Sequence, residues 1–193
     1  MPKSPALFVP HGAPTFALRP GAAGTAIAAA AGRLPRPRAI IIVSAHWDSD
    51  VPTVGLAKRP TTIHDFRGFP NELYTLRYPA TGSRAAAADV LAAIEAAGLP
   101  VEQDAGRGLD PGAWIPLRLM FPDAGVPIIP LSIQSLGGTE QAYRLGRALA
   151  PLVEQEFLVI ASGNVTHIRS SATARRGRRS GAARFPQAVG IGR

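Results

Sequence analysis

The chain has 193 residues, which is enough for one domain with a substantial core and too few for two. Hydrophobic residues make up 46% of it, so a globular protein is predicted and a disordered one is excluded. It contains no cysteine, which excludes disulfides, thiolate metal ligands and a cysteine nucleophile. No apolar run approaches the roughly 20 residues that span a bilayer. The apolar segment at the N-terminus is short and is interrupted by proline, so a secretory signal is not expected. We therefore expect a cytoplasmic protein with no membrane contact.

The net charge of +8 is concentrated at one end of the chain. Residues 168–193 contain seven arginines and no acid, so the first 167 residues carry a net charge of only +1. An arginine cluster attracts nucleic-acid phosphates, but Phe185 is the only aromatic residue between these arginines. The pattern favours a basic, disordered tail at 168–193 over a nucleic-acid binding segment.

Short runs of branched apolar residues alternate along the chain with alanine-rich or amphipathic segments, which indicates strands alternating with helices. Strands are predicted at residues 5–10, 39–45, 51–55, 126–133 and 157–162, and helices at 22–32, 83–97, 117–120 and 139–151, the last with Thr139 as its N-cap. Residues 61–79 favour an ordered loop, and residues 101–107 a weak strand or loop. The predicted fold is a single α/β domain with a mostly parallel central sheet flanked by helices. A crossover helix between the first two strands predicts that they are neighbours in the sheet.

Three of the four histidines follow predicted buried strands, either directly or after a short turn. They are His11, His46 and His167. Each alone is typical of a structural histidine in a turn, but the carboxyl ends of parallel strands meet at one edge, where ligands bind in such sheets. We therefore expect a catalytic or metal centre, with imidazole ligands that suit Zn(II) or Fe(II). A zinc-dependent hydrolase would use the same arrangement to activate water.

Five segments, in order, carry a recognisable family pattern: FVPHGAPTFAL, VSAHW, TIHDFRGFPNELYTLRYPA, RGLDPGAWIPLRLMFPDAGVPIIPLSIQ and ASGNVTH. In them the chain resembles the DODA-type extradiol ring-opening dioxygenases of the LigB superfamily over residues 5–167. The resemblance implies a non-haem Fe(II) or Zn(II) centre that uses O₂ to open the ring of a catechol-type, DOPA-like substrate.

The resemblance also implies a role for individual residues. His11 and His46 would be metal ligands, and His167 would be either the third ligand or the acid–base group that takes a proton from the diol. His64 would line the substrate pocket, although a histidine that only bonds the backbone of an ordered loop fits the sequence equally well. Trp114 would flank the aromatic substrate or simply pack in the core.

The chain departs from the family pattern in two places. The pattern has a histidine where this chain has Pro111, which can neither bind a metal nor donate a proton. The resemblance also stops at His167, as expected of a truncated or frame-shifted chain whose C-terminal part is missing. We therefore expect weak metal binding and impaired ring cleavage, or an inactive, metal-free member of the same fold.

Overall fold

The computed structural model describes residues 5–164, which form six strands and five α-helices around one central sheet. The strands are β1 (Leu7–Val9), β2 (Ala39–Asp48), β3 (Thr53–Gly55), β4 (Glu102–Asp104), β5 (Ile128–Ile133) and β6 (Phe157–Ser162). The helices are α1 (Gly21–Ala31), α2 (Asn71–Thr75), α3 (Arg84–Ala96), α4 (Pro111–Met120) and α5 (Gly138–Val153), with short 3₁₀ turns at Pro14–Ala17 and Ser135–Gly137. No helix in this part of the chain has the length and apolar character needed to cross a bilayer.

The sheet has the strand order β1-β6-β2-β5-β3-β4 and is mostly parallel, which confirms the predicted fold class. One pairing is antiparallel, between β3 and β5, through Val54 opposite Leu131. The expectation that the first two strands are neighbours is wrong, because β6 lies between β1 and β2 and pairs with both. The last strand therefore enters the middle of the sheet, which sequence order alone does not indicate.

Helices cover both faces of the sheet, and the alternation of side chains along each strand divides the core in two. Ile40 and Ile42 of β2 pack against α1 and α4, whereas Ile41 points to the other face and packs against α3 and α5. All three isoleucines are fully buried. Burial on both faces explains the unbroken apolar run in β2, because a strand with one solvent-exposed face would alternate apolar and polar residues.

Several predicted boundaries need correction. Helix α4 begins at Pro111 rather than after Pro116, because Asp110 caps it and proline is well suited to the first helical position. Helix α5 begins at Gly138, with Gly137 instead of Thr139 at the N-cap. The predicted loop at 61–79 contains the short helix α2, and the weak segment at 101–107 contains the short edge strand β4.

Candidate functional site

Two histidines from separate parts of the chain meet at the carboxyl edge of the sheet. His11 follows β1 by two residues and is buried, and His46 lies within the last three residues of β2. Their ring centroids are 5.0 Å apart and the rings are nearly perpendicular, at 71°. The predicted proximity of these two imidazoles is therefore present, although their strands are separated by β6.

Each of these imidazoles is held through its Nδ1 atom. The Nδ1 atom of His11 lies 3.0 Å from the hydroxyl oxygen of Ser162, at the end of β6. The Nδ1 atom of His46 lies 3.0 Å from a carboxylate oxygen of Asp65, in the loop before α2. A proton on the His46 Nδ1 atom is donated to Asp65, which leaves the Nε2 lone pair to bind a ligand. Histidines that bind metals are commonly oriented by partners of this kind.

The first turn of α4 packs directly against the histidine pair. A Cβ atom on Gly112 would lie 2.2 Å from the Ser44 hydroxyl oxygen and 3.1 Å from both the Nδ1 atom of His11 and the Cδ2 atom of His46. Only glycine fits this contact, because real Cβ atoms do not approach other heavy atoms so closely. Gly112 therefore sets how close the helix comes to the site.

Asp110 anchors this end of α4 to β2 from a buried position. One carboxylate oxygen accepts a hydrogen bond of 2.5 Å from the Ser44 hydroxyl and one of 3.2 Å from the backbone N–H of Ala113. The other accepts a 2.6 Å hydrogen bond from Arg107. Ser44 in turn accepts a hydrogen bond from the backbone N–H of His46. The network fixes the backbone of His46 relative to the helix.

The Arg107 guanidinium lies over the ring of Trp47, 4.6 Å from its centroid. This stacking restrains Arg107 where it bonds Asp110. Trp47 thus has a packing role at the rim of the site.

His64 lies in the same loop as Asp65 and packs among aromatic rings. Its Nε2 atom is 3.1 Å from the carbonyl oxygen of Leu76, so the Nε2–H group donates to the backbone. Its ring is 5.7 Å from that of Trp114 and 5.6 Å from that of Phe66. Trp114 is fully buried and donates its indole N–H to the carbonyl oxygen of Ile63. It therefore supports the wall behind His64 and presents no surface of its own.

His167 lies outside the described residues. Residue 111, where the resemblance to the family leads us to expect a histidine, is a buried proline in the first turn of α4. Within residues 5–164, no group of three or more His, Asp or Glu side chains is arranged to hold a metal ion. The described part of the site therefore offers two imidazoles, and their nitrogen donors and oriented rings fit a Zn(II) or Fe(II) ion.

Sequence reasoning did not identify the residues that hold the histidines. Asp65 follows His64 in the third family segment, and Ser162 precedes Gly163 in the fifth. Pro111 lies between Asp110 and Gly112. Their order along the chain gave no indication of contact with His11 or His46. The useful signal was the position of Asp110 before a proline, which is typical of a helix N-terminus.

Asp48, the last residue of β2, is hydrogen-bonded to Ser135, in the 3₁₀ turn that follows β5. Its carboxylate accepts hydrogen bonds from the hydroxyl and the backbone N–H of Ser135, and these donors lower the pKa of Asp48 below its ordinary value. The bonds connect the end of β2 to the segment that leads into α5.

Two oriented imidazoles at the carboxyl edge of a mostly parallel sheet stand where ligands bind in α/β folds. Residues 21–178 match the family model described as the catalytic LigB subunit of aromatic ring-opening dioxygenase. The chain therefore belongs to the LigB family. The match includes His46, His64 and Trp114 and begins after His11.

Individual relatives point to the same family. The chain is 47% identical over 134 residues to a 4,5-DOPA dioxygenase extradiol of Beta vulgaris, covering 68% of this chain and 50% of that protein. It is 39% identical over 165 residues to one of Escherichia coli, covering 86% of this chain and 60% of that protein. A solved but uncharacterised E. coli K12 protein superposes with a TM-score of 0.69 at 33% identity, covering 86% of this chain and 62% of that one. The chain spans about half to three-fifths of the length of these relatives.

Proposed function

We propose that this chain belongs to an extradiol dioxygenase that opens the ring of a catechol-type, DOPA-like substrate with O₂ at a non-haem Fe(II) centre, which Zn(II) can also occupy. The observation that carries the proposal is the pair formed by His11 and His46, with their rings 5.0 Å apart. The names of the relatives support the substrate class, because they are 4,5-DOPA dioxygenases of the extradiol type.

His11 and His46 would hold the metal, and His167 would supply a third imidazole, as a ligand or as the acid–base group. When bound, the metal supplies Lewis acidity toward the diol and the redox capacity that O₂ chemistry needs. Imidazole titrates near neutral pH, so His167 in the acid–base role would take a proton from a diol hydroxyl.

The remaining residues would bind the substrate or orient the two imidazoles. Asp65 fixes the ring direction of His46, and Ser162 does the same for His11, so that neither imidazole must reorganise when a ligand arrives. His64 would form part of the substrate pocket, with Trp114 buried behind it. Because Pro111 stands where the pattern has a histidine, this part of the pocket contributes no proton donor, and we expect slow turnover. The setting we propose is the cytoplasm.

The test is anaerobic reconstitution with Fe(II), followed by addition of DOPA and air-saturated buffer. We expect oxygen uptake that matches the amount of DOPA consumed, together with a yellow ring-opened product. Both should be lost in His46→Ala and retained in Glu95→Gln, a substitution of an exposed residue near the end of α3. Iron binding without oxygen uptake would instead identify an inactive family member. Hydrolysis of an ester by the zinc-loaded chain without oxygen uptake would favour a zinc hydrolase.

A further inference from the structure

Strand β2 contains a bulge, and His46 lies in it. Between two successive register pairs, β2 has four residues where β5 has one, so β2 contains three extra residues. The two pairs are Val43 with Leu131 and Asp48 with Ile133. The pairing of β2 with β6 ends at Ser44, so among the described residues 45–47, which we call the bulge segment, have no ladder partner. Bulges change the direction of side chains and occur often beside active sites.

The start of the bulge segment is fixed by Ser44. The Ser44 hydroxyl donates a hydrogen bond to Asp110 and accepts one from the backbone N–H of His46. Ser44 and Asp110 are both buried, so water does not compete for this contact. The bulge segment therefore begins at a point that is held firmly against the N-terminus of α4.

The end of the bulge segment is fixed by Asp48 and Ser49. The Asp48 carboxylate accepts hydrogen bonds from the hydroxyl and, at 2.9 Å, from the backbone N–H of Ser135. The backbone N–H of Ser49 donates to the carbonyl oxygen of Ile133 over 3.0 Å, and its hydroxyl oxygen lies 2.6 Å from that of Ser132. Asp48 and Ser135 are exposed, so substitutions at these two residues leave the core packing intact.

We propose that Ser135 is a positioning residue for His46, because its bonds to Asp48 hold the far end of the bulge segment. This role rests on the proposed function in one respect, which is that His46 binds the metal. A segment held at both ends samples fewer conformations than one held at a single end, so an imidazole within it loses less entropy when an ion binds. Ser135 forms no hydrogen bond with His46 in the described part of the chain, so it acts through the backbone.

Ser135→Ala tests this role, because it removes the hydroxyl donor and leaves the charge of Asp48 in place. We expect Zn(II) to bind the full 193-residue chain about tenfold more weakly, at the lower end of the effect of residues that orient metal ligands. Ser135→Thr keeps a hydroxyl and should restore the wild-type affinity. Thr139→Ala is the matched control, because Thr139 is exposed and its side chain forms no hydrogen bond with a described residue. Calorimetric titration measures the four affinities.

Amide hydrogen exchange of the metal-free chain measures the same effect without an ion. We expect faster exchange of the His46 amide, which bonds Ser44, in Ser135→Ala than in the wild type. Exchange in α1 and α4 should be unchanged, and the midpoint of urea unfolding should remain that of the wild type. Residue-specific exchange rates from NMR provide the comparison.

Two results would overturn this role for Ser135. The first is a zinc affinity that Ser135→Ala leaves unchanged while His46→Ala lowers it, which would leave the proposed function standing. The second is a lower urea midpoint in Ser135→Ala with exchange that rises equally across the whole sheet, because Ser135 would then contribute only to stability. A zinc affinity that His46→Ala does not change would contradict the proposed function and this role together.

Discussion

Asp65 holds the imidazole of His46 from a loop 19 residues further along the chain, with 3.0 Å between a carboxylate oxygen and the Nδ1 atom. The contact connects the end of β2 with the loop that carries His64. A carboxylate on Nδ1 fixes the ring and makes Nε2 a better electron donor.

Asp65→Asn should therefore weaken metal binding without unfolding the protein. The amide retains a hydrogen-bonding group but loses the charge, and partners of this kind typically contribute about 10–100-fold to metal affinity. Calorimetric titration with Co(II) measures the change. Asp50→Asn, another exposed acid, is the matched control, and equal affinities for the two variants would show that Asp65 does not act through His46.

Gly112→Ala should damage the site and the fold together. The added methyl group would lie 2.2 Å from the Ser44 hydroxyl oxygen, so α4 must shift away from β2. Overpacking of this kind costs about 1–3 kcal/mol in the free energy of unfolding, measurable by urea denaturation. Gly146→Ala in α5 is the matched control, because open space surrounds its Cβ position and alanine should stabilise the helix by about 0.5–1 kcal/mol. Equal stability of the two variants would contradict the close approach of α4.

Asp110→Ala should destabilise the protein more than loss of an ordinary helix cap does. It removes the cap of α4 and leaves the Arg107 guanidinium without its buried partner, so we expect a loss of about 3 kcal/mol. Ser83→Ala removes only the cap of α3 and should cost about 1 kcal/mol. Urea unfolding of both variants provides the comparison, and equal losses would mean that the network with Ser44 and Arg107 adds nothing to the cap.

Ser135→Ala should raise the pKa of Asp48 toward its ordinary value, because the hydroxyl is the largest of the donors that lower it. A carboxyl group with a lowered pKa in the folded state stabilises the protein above its unfolded pKa. That contribution disappears as pH falls through the folded pKa. Carboxyl carbon NMR titration measures the pKa directly, and an unchanged value would show that Ser135 is not the cause.

The sequence predicted the parallel α/β class and the meeting of His11 and His46, because unbroken apolar strands and the strand-end histidines are local features. It could not predict that β6 inserts between β1 and β2, since strand order depends on packing between distant segments. The start of α4 was also missed, although Asp110 and Pro111 form a good helix N-terminus; the second proline, Pro116, obscured it. The contacts of Asp65 with His46 and of Ser162 with His11 join distant parts of the chain, so they could not be predicted from the local sequence.

The central claim is that His11 and His46 share one metal ion. X-ray absorption spectroscopy of the full chain loaded with one equivalent of Zn(II) counts the imidazoles around the metal. We predict at least two imidazoles in the wild type and one fewer in each of His11→Ala and His46→Ala. A spectrum that neither substitution changes would contradict the claim.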